Sequence, residues 1–373
     1  MEIYDGLMAL TEEHEAFYWA DTTLYGTVYR VFNYRLGSYS QWILPYALEC
    51  RGITFERDTK RVVSRPFEKF FNLNENPLTM DLDLSTVECV WDKMDGSLIS
   101  TMDISDDQGM AFWLKSKGSL LSEQAMAANQ LIHTEAYDEL RKFCGIMVST
   151  GHTVIMEYTG PSNRIVISYE DHALTVLGVR NNESGDYFHW NTLKEIIPDF
   201  LVDDIEYVAS HESFIASIPH MVDIEGYVIQ LESGQRFKVK TEWYLKLHHI
   251  KDSINSQRRL FEAVVYETSD DIKASFFDDP IAIALVEEME EKVAGIYNHM
   301  VAVVEDFYEA NKHLERKDYA VKGQQELEKL HFSLAMSKYI GREVDYKATM
   351  VKHRKDFGIK DDPEPSEEQE ILC

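Results

Sequence analysis

Two periodicities divide this chain. Up to about residue 245, apolar residues fall in short runs rich in β-branched and aromatic side chains. These are Gly52-Ile53-Thr54-Phe55-Glu56, Val87-Glu88-Cys89-Val90-Trp91, Leu98-Ile99-Ser100-Thr101-Met102, Ala111-Phe112-Trp113-Leu114, Thr153-Val154-Ile155-Met156-Glu157, Leu174-Thr175-Val176-Leu177, Tyr227-Val228-Ile229-Gln230 and Phe237-Lys238-Val239-Lys240. Such runs suit a pleated, half-buried surface. Turn signals at Ser184-Gly185 and Ser233-Gly234 separate several of them. A helical stretch is expected from Leu121 to His133. Strands and helices do not alternate regularly, which predicts a sheet-rich α+β domain and not a doubly wound fold.

From about Ser253 the spacing changes. Asp278-Asp279-Pro280 reads as a helix start, with acids at the N-terminus and proline in the first turn. Leu285, Met289, Val293, Ile296, Met300, Val304 and Phe307 follow three or four apart, one apolar face of a long helix whose methionine and aromatic stripe is core. Further helices are expected over Ser256 to Glu267, Gln324 to Tyr339 and Asp345 to Lys355. The C-terminal third is therefore helical. The segment from Asp361 to Glu370 carries six acids, no base and two prolines, and is expected to be a disordered tail.

Composition narrows the function classes. At 373 residues, with 45% hydrophobic and 12% aromatic content, the chain can bury the cores of two domains. No apolar run approaches the roughly 18 residues of a membrane span, and the N-terminus lacks a signal pattern. The cysteines Cys50, Cys89, Cys144 and Cys373 form no CxxC pair, which argues against structural zinc or a disulfide framework and for a reducing cytoplasm. The net charge of -28 argues against a protein that coats nucleic acid nonspecifically. An enzyme of nucleic acid would need a local basic site within that acidic surround.

Candidate chemistry centres on Lys93-Met94-Asp95-Gly96-Ser97, between two expected strands with Asp-Gly as the turn signal. A lysine held there can form a covalent phosphoramidate by attack on phosphorus, as lysines elsewhere form covalent intermediates. Lys115 and Lys117 are expected on one strand face, and so are Lys238 and Lys240. Like charges side by side make a poor ordinary sheet but suit a polyphosphate, although either pair by itself reads as a solvated sheet face. Arg51 and Lys69 are further cations beside strand-like runs. Glu157 ends an apolar run where an acid needs a partner, and Glu225 precedes Gly226. Either acid could bind ribose hydroxyls, hold metal-bound water, or belong to a structural ion pair. No GxxxxGK[ST] or GxGxxG phosphate loop is present.

Read in order, several blocks resemble the nucleotidyltransferase superfamily, and most closely the RNA ligase 1 family of T-even-type bacteriophages. They are Glu49-Cys50-Arg51-Gly52-Ile53, the run from Arg65 to Pro77 with Glu68-Lys69-Phe70-Phe71-Asn72 inside it, Lys93 to Ser97, Leu114-Lys115-Ser116-Lys117-Gly118-Ser119, Asn163-Arg164-Ile165-Val166, Ile224-Glu225-Gly226-Tyr227-Val228, and Phe237 to Lys240 with Trp243-Tyr244. The resemblance covers residues 45 to 250 and matches the helical third in character more than in residues. It implies a nucleotidyltransferase domain of antiparallel sheets with flanking helices over residues 1–250, an all-helical RNA-selectivity domain over 251–360 and an acidic tail over 361–373.

The activity it implies is ATP-dependent joining of RNA 5′-phosphate and 3′-hydroxyl ends, with repair of tRNA broken in the anticodon loop. Lys93 would be the nucleophile, with Lys238, Lys240 and Mg²⁺ favouring its neutral form. Glu157 would take the ribose of ATP and Glu225 the metal-bound water. Arg51, Lys69 and Lys117 would contact phosphates, Gly96 would let the backbone approach the nucleotide, and Tyr244 would join the site. A polynucleotide kinase/phosphatase is the implied partner, and the cytoplasm, of the host cell if phage-encoded, the implied location. A GTP-dependent capping enzyme or a DNA ligase, and a non-catalytic RNA-binding adaptor, are the rival readings. The helical character after Lys240 and the complete set of charged residues weigh against them.

Overall fold

A computed structural model describes residues 2–35, 38–105, 111–205, 208, 210–276, 279–342 and 344–360. The expected tail, 361–373, and Asp278 lie outside them. Backbone contacts divide the chain into one unit ending at Lys246 and a second beginning at Leu247. Among the described residues, no helix is long and apolar enough to cross a membrane.

The first unit holds strands β1 (Phe17–Leu24), β2 (Thr27–Tyr34), β3 (Thr54–Glu56), β4 (Arg61–Ser64), β5 (Phe71–Asn72) and β6 (Val87–Asp92). Then come β7 (Ser97–Asp103), β8 (Phe112–Ser116), β9 (His152–Thr159), β10 (Ala173–Asn181), β11 (Gly226–Leu231) and β12 (Arg236–Lys240). They form three four-stranded sheets, ordered β1-β2-β3-β4, β10-β9-β7-β8 and β5-β12-β11-β6. All pairings are antiparallel except β5 with β12. The runs recognised by their strand-forming residues are all strands, whereas β1, β2, β4 and β5 lie outside them.

The turn at Asp95-Gly96 is not a hairpin. Strands β6 and β7 flank that turn but do not pair. Tyr227 of β11 pairs with Asp92 of β6, while Ser97 of β7 pairs with Tyr158 of β9. The chain crosses from one sheet to another at residues 93–96.

The first sheet packs on the helix Glu2–Glu13, whose Tyr4, Leu7 and Leu10 are buried against Phe17, Phe32 and Phe55. The helix Glu123–Leu131 is capped by Ser122, whose hydroxyl accepts from the Ala125 amide at 3.2 Å. Its Asn129 is docked on β8, accepting from the Leu114 amide at 3.0 Å and donating to the Leu114 carbonyl at 2.7 Å.

In the second unit, Asp279 caps the 32-residue helix Pro280–Asn311 by accepting from the Ala282 amide. Its buried stripe is Ala282, Val286, Met289, Val293, Met300, Val304 and Phe307. Burying each larger member contributes about 1.5–3 kcal/mol. Leu285, assigned to that face by spacing, is 42% exposed, and Ile296 is half-buried, because the buried row starts one residue later, on Val286. The single helix expected over Gln324 to Tyr339 is two, Arg316–Glu326 and Lys329–Tyr339, since Leu327 leaves the helix with φ -114° and ψ 148°. Helices Gln257–Val265 and Tyr346–Lys352, with Ser256 and Asp345 as caps, lie inside their expected ranges.

Candidate active site

Lys93 is placed by its backbone first. Its amide donates to the Gly226 carbonyl at 2.9 Å, which joins the end of β6 to the start of β11. The Asp95 carboxylate, 1% exposed, then fixes the turn. It accepts from the Val166 and Ile167 amides, both at 2.7 Å, and from the Tyr244 hydroxyl at 2.7 Å. The Asp95 amide in turn donates to the Tyr169 hydroxyl at 3.1 Å. Gly96 follows, and a Cβ there would stand 2.4 Å from the Tyr158 carbonyl oxygen. Close packing on β9 alone thus demands glycine, before any nucleotide is considered.

These constraints aim the Lys93 amine at two buried acids. Its Nζ lies 2.7 Å from Glu225 Oε1, which is also 3.4 Å from Lys240 Nζ. Glu225 Oε2 is buried with no hydrogen-bond partner. Burial pushes the Glu157 carboxyl up to about 8, against the pull of Lys93 and with Glu225 adding to it. For Lys93, burial opposes the charge, but Glu225, Glu157 and Asp95 outweigh it and hold the amine above the ordinary lysine range. The expectation that neighbouring cations favour a neutral amine is therefore corrected for the free protein, where Glu225 is in direct contact with the amine.

The cations come from four more segments. On β12, Phe237 and Val239 are buried while Lys238 and Lys240 alternate with them onto the cleft. Burial pulls Lys238 well below the ordinary lysine value, with Lys93 and Lys240 adding to the effect, and burial also lowers Lys240. Lys69 donates to the Tyr34 hydroxyl at 3.2 Å, and Lys117 Nζ sits 4.2 Å from the centre of that ring. Burial alone would raise the Tyr34 phenol, but Lys117, Lys69 and Arg51 pull it below the usual tyrosine range. Arg51 donates to the Phe67 carbonyl at 3.3 Å.

Lys93, Arg51, Lys69, Gly96, Lys117, Glu157, Glu225, Lys238 and Lys240 all line one cleft holding about 1100 Å³ of atom-free space, part of it open to solvent. Two lysine-motif residues do not behave as expected. Tyr244 is fully buried and absent from the cleft lining, and its hydroxyl supports Asp95 from behind the turn. Lys115 does not share the face of Lys117. Strand β8 ends at Ser116, so Lys117 turns into the cleft, while Lys115 is fully buried and donates to the Gly52 carbonyl at 2.9 Å.

Other lining residues escaped the sequence reading. Tyr34 closes β2, a strand not recognised. Phe70, Trp91, Leu177, Val202 and Val228 give the cleft an apolar wall suited to a planar base. Their signal was weak because each is also an ordinary core residue by type.

A divalent cation fits this donor set. No cluster of three or more His, Cys, Asp or Glu side chains able to hold a metal occurs among the described residues. Glu225 Oε2 nevertheless offers one buried, unpartnered carboxylate oxygen. Mg²⁺ is held in that way, by one or two carboxylates with phosphate oxygens and water completing the shell.

A half-buried amine, paired acids, converging cations and an apolar wall between antiparallel sheets define a nucleotidyltransferase-type site. The chain belongs to the RNA ligase family. Residues 49–247 match the family described as RNA ligase, and residues 251–364 match the C-terminal domain of T4 RNA ligase 1.

Among curated relatives, a Thermovibrio ammonificans protein described as a candidate RNA ligase is 26% identical over 310 residues, covering 80% of this chain and 79% of that protein. RNA ligase 1 of bacteriophage TS2126 is 24% identical over 289 residues, covering 72% of this chain and 68% of that one. A candidate bifunctional polynucleotide kinase/RNA ligase of Autographa californica nuclear polyhedrosis virus is 26% identical over 249 residues, or 62% of this chain and 35% of the viral protein. The solved Naegleria gruberi RNA ligase with pyrophosphate is 18% identical with a TM-score of 0.34, covering 44% of this chain and 52% of that one, a likeness too slight to argue from.

Proposed function

We propose that this RNA ligase is ATP-dependent and joins 5′-phosphate and 3′-hydroxyl RNA ends through a lysyl-AMP on Lys93. The observation that carries the reading is the Lys93 amine, 2.7 Å from Glu225, in a cleft lined by Arg51, Lys69, Lys117, Lys238 and Lys240. In the first transfer, the Nζ lone pair attacks the α-phosphorus, a P–N bond forms, and the P–O bond to pyrophosphate breaks. The amine must first lose a proton, and Glu225 Oε1 is the acceptor in contact with it. Opening of that pair, with Lys238 and Lys240 close by, then favours the neutral nucleophile. The cations oppose charge accumulating on the α-phosphate and on the departing pyrophosphate, so positioning and electrostatics supply most of the acceleration.

Glu157 is placed to hydrogen-bond a ribose hydroxyl, and the apolar wall to cover adenine. Glu225 Oε2 would hold Mg²⁺ or its water, whose charge would stabilise the leaving phosphates. In the second transfer AMP passes to an RNA 5′-phosphate. In the third, a 3′-hydroxyl displaces AMP and seals the strand.

The substrate proposed is a tRNA broken in its anticodon loop, with the helical residues 251–360 conferring that preference and residues 1–250 carrying the chemistry. A kinase/phosphatase that restores 5′-phosphate and 3′-hydroxyl ends is the natural partner. The fused kinase in the name of the baculovirus relative supports it. Such work belongs in the cytoplasm, where RNA and ATP are.

Incubation with Mg²⁺ and α-labelled ATP or GTP tests the reading. Label from ATP alone should stay on the protein through denaturation, and transfer to 5′-phosphorylated RNA. Label from GTP in its place would overturn it in favour of a capping enzyme.

A further inference from the structure

A second cleft adjoins the first and shares Lys69, Phe70 and Arg236 with it. Its walls come from the β6–β11–β12 part of one sheet and from residues 185–190, which follow β10. Arg236 marks the border, with its guanidinium 3.7 Å from the Tyr187 ring centre and 4.9 Å from that of Phe67.

Two properties distinguish this cleft from an ordinary surface groove. Three side-chain atoms of its wall, Trp190 Nε1, Gln230 Oε1 and Arg236 Nε, are buried without a hydrogen-bond partner. Gln230 commits its amide nitrogen to Glu88 Oε2 at 2.9 Å, which leaves the carbonyl oxygen unmatched. Trp190 is 8% exposed, packed edge-on against Trp91 of the first cleft with ring centres 5.1 Å apart. A buried polar atom without a partner costs stability, and three in one wall call for an explanation.

The second property is charge. Glu68, Glu88, Asp186 and Glu232 face Lys69 and Arg236 here, whereas the first cleft has a majority of cations. The two halves are complementary to different ends of a nucleic acid.

We propose that the second cleft receives the terminal nucleoside of the RNA strand that carries the 3′-hydroxyl. The proposal rests on the reading of the Lys93 cleft as a sealing centre. The carboxylates disfavour a terminal phosphate and can accept hydrogen bonds from the 2′- and 3′-hydroxyls. Phe188 supplies an aromatic ring for the base, as in other single-strand readers. The indole N–H, amide oxygen and guanidinium supply donors and an acceptor for its edge. These three atoms lie within the wall, so the side chains turn as the base enters. The shared border then holds the 3′-oxygen beside the phosphate-binding cations. From there it attacks the 5′-phosphorus of the adenylylated strand. A P–O bond to the 3′-oxygen forms, the P–O bond to AMP breaks, AMP leaves with the electron pair, and the hydroxyl proton passes to water.

The test uses the full chain with Gln230→Leu, which removes the unmatched oxygen at similar volume, and Ser233→Trp, which fills the cleft from its exposed turn. Neither residue lines the first cleft. A pre-adenylylated RNA donor is sealed to an RNA acceptor of varied concentration. In parallel, lysyl-AMP formation and adenylylation of a 5′-phosphorylated strand are timed.

The acceptor KM should rise about fivefold or more in both variants, roughly the loss of one hydrogen bond or more. The other two steps should stay near wild type. An unchanged acceptor KM in both variants overturns the subsite. Equal losses in all three steps assign the cleft to folding and overturn it as well. A wild-type protein that forms no lysyl-AMP refutes the functional reading itself, and the subsite with it.

Discussion

The sharpest quantitative consequence of the fold concerns a lysine that does no chemistry. Lys115 is fully buried and donates to the Gly52 carbonyl, and burial, with Lys117 adding, lowers its pKa to about 7 from 10.5. A lysine with a depressed folded pKa binds fewer protons folded than unfolded. Stability therefore climbs with pH between those values, the penalty being whole below about pH 7 and gone above 10.5.

The slope approaches ~1.4 kcal/mol per pH unit, and the gain from pH 7 to 9 comes to about 2 kcal/mol. In Lys115→Met this contribution is absent, so wild type should gain on the variant by that amount over the interval. Urea unfolding followed by tryptophan fluorescence reads it, since all six tryptophans lie within residues 1–246. For a slope near 3 kcal/mol per molar urea, the difference between the two midpoints should move by about 0.7 M. Midpoints that shift in parallel from pH 7 to 9 would refute a buried, near-neutral Lys115.

Three further outcomes follow from the site. Lys93→Ala and Lys93→Arg should both abolish the labelled protein adduct, because arginine keeps the charge but is never a neutral nucleophile; sealing of pre-adenylylated RNA should survive better, and a normal adduct rate in Lys93→Arg would falsify the assignment. Lys238→Ala and Lys240→Ala should each slow single-turnover adenylylation by a transition-state cost of about 2–4 kcal/mol without unfolding the protein; near-wild-type rates in both would make the pair an ordinary solvated face. A folded fragment of residues 1–250 should still form lysyl-AMP and join unstructured RNA, while losing preference for a nicked tRNA; an unchanged ratio of the two rates removes selectivity from the helical region.

What the sequence revealed was local, and what it hid was not. The helix at Pro280 is announced by its own cap and period. The break at Leu327 is not, because neither glycine nor proline marks it and the apolar spacing runs straight through. Asp95-Gly96 is a genuine turn signal, yet which strands it joins is decided by β9 and β11, far along the chain. The charged residues lining the cleft were legible because lysines and acids stand out in strand-like runs. Whether such a residue faces ligand or interior was not, since Lys115 and Lys117 differ only by where β8 ends, and Tyr244 only by what lies behind Asp95.

The ion pair between Lys93 and Glu225 has a consequence for the protein between turnovers. Cells contain small electrophiles such as cyanate, aldehydes and acyl phosphates, and these modify amines in the neutral form. An amine held protonated, 2.7 Å from a carboxylate, is a poor target for all of them. The pair that delays the nucleophile thus also preserves it, and lysine-directed reagents should modify Lys93 more slowly than the exposed lysines of the same chain.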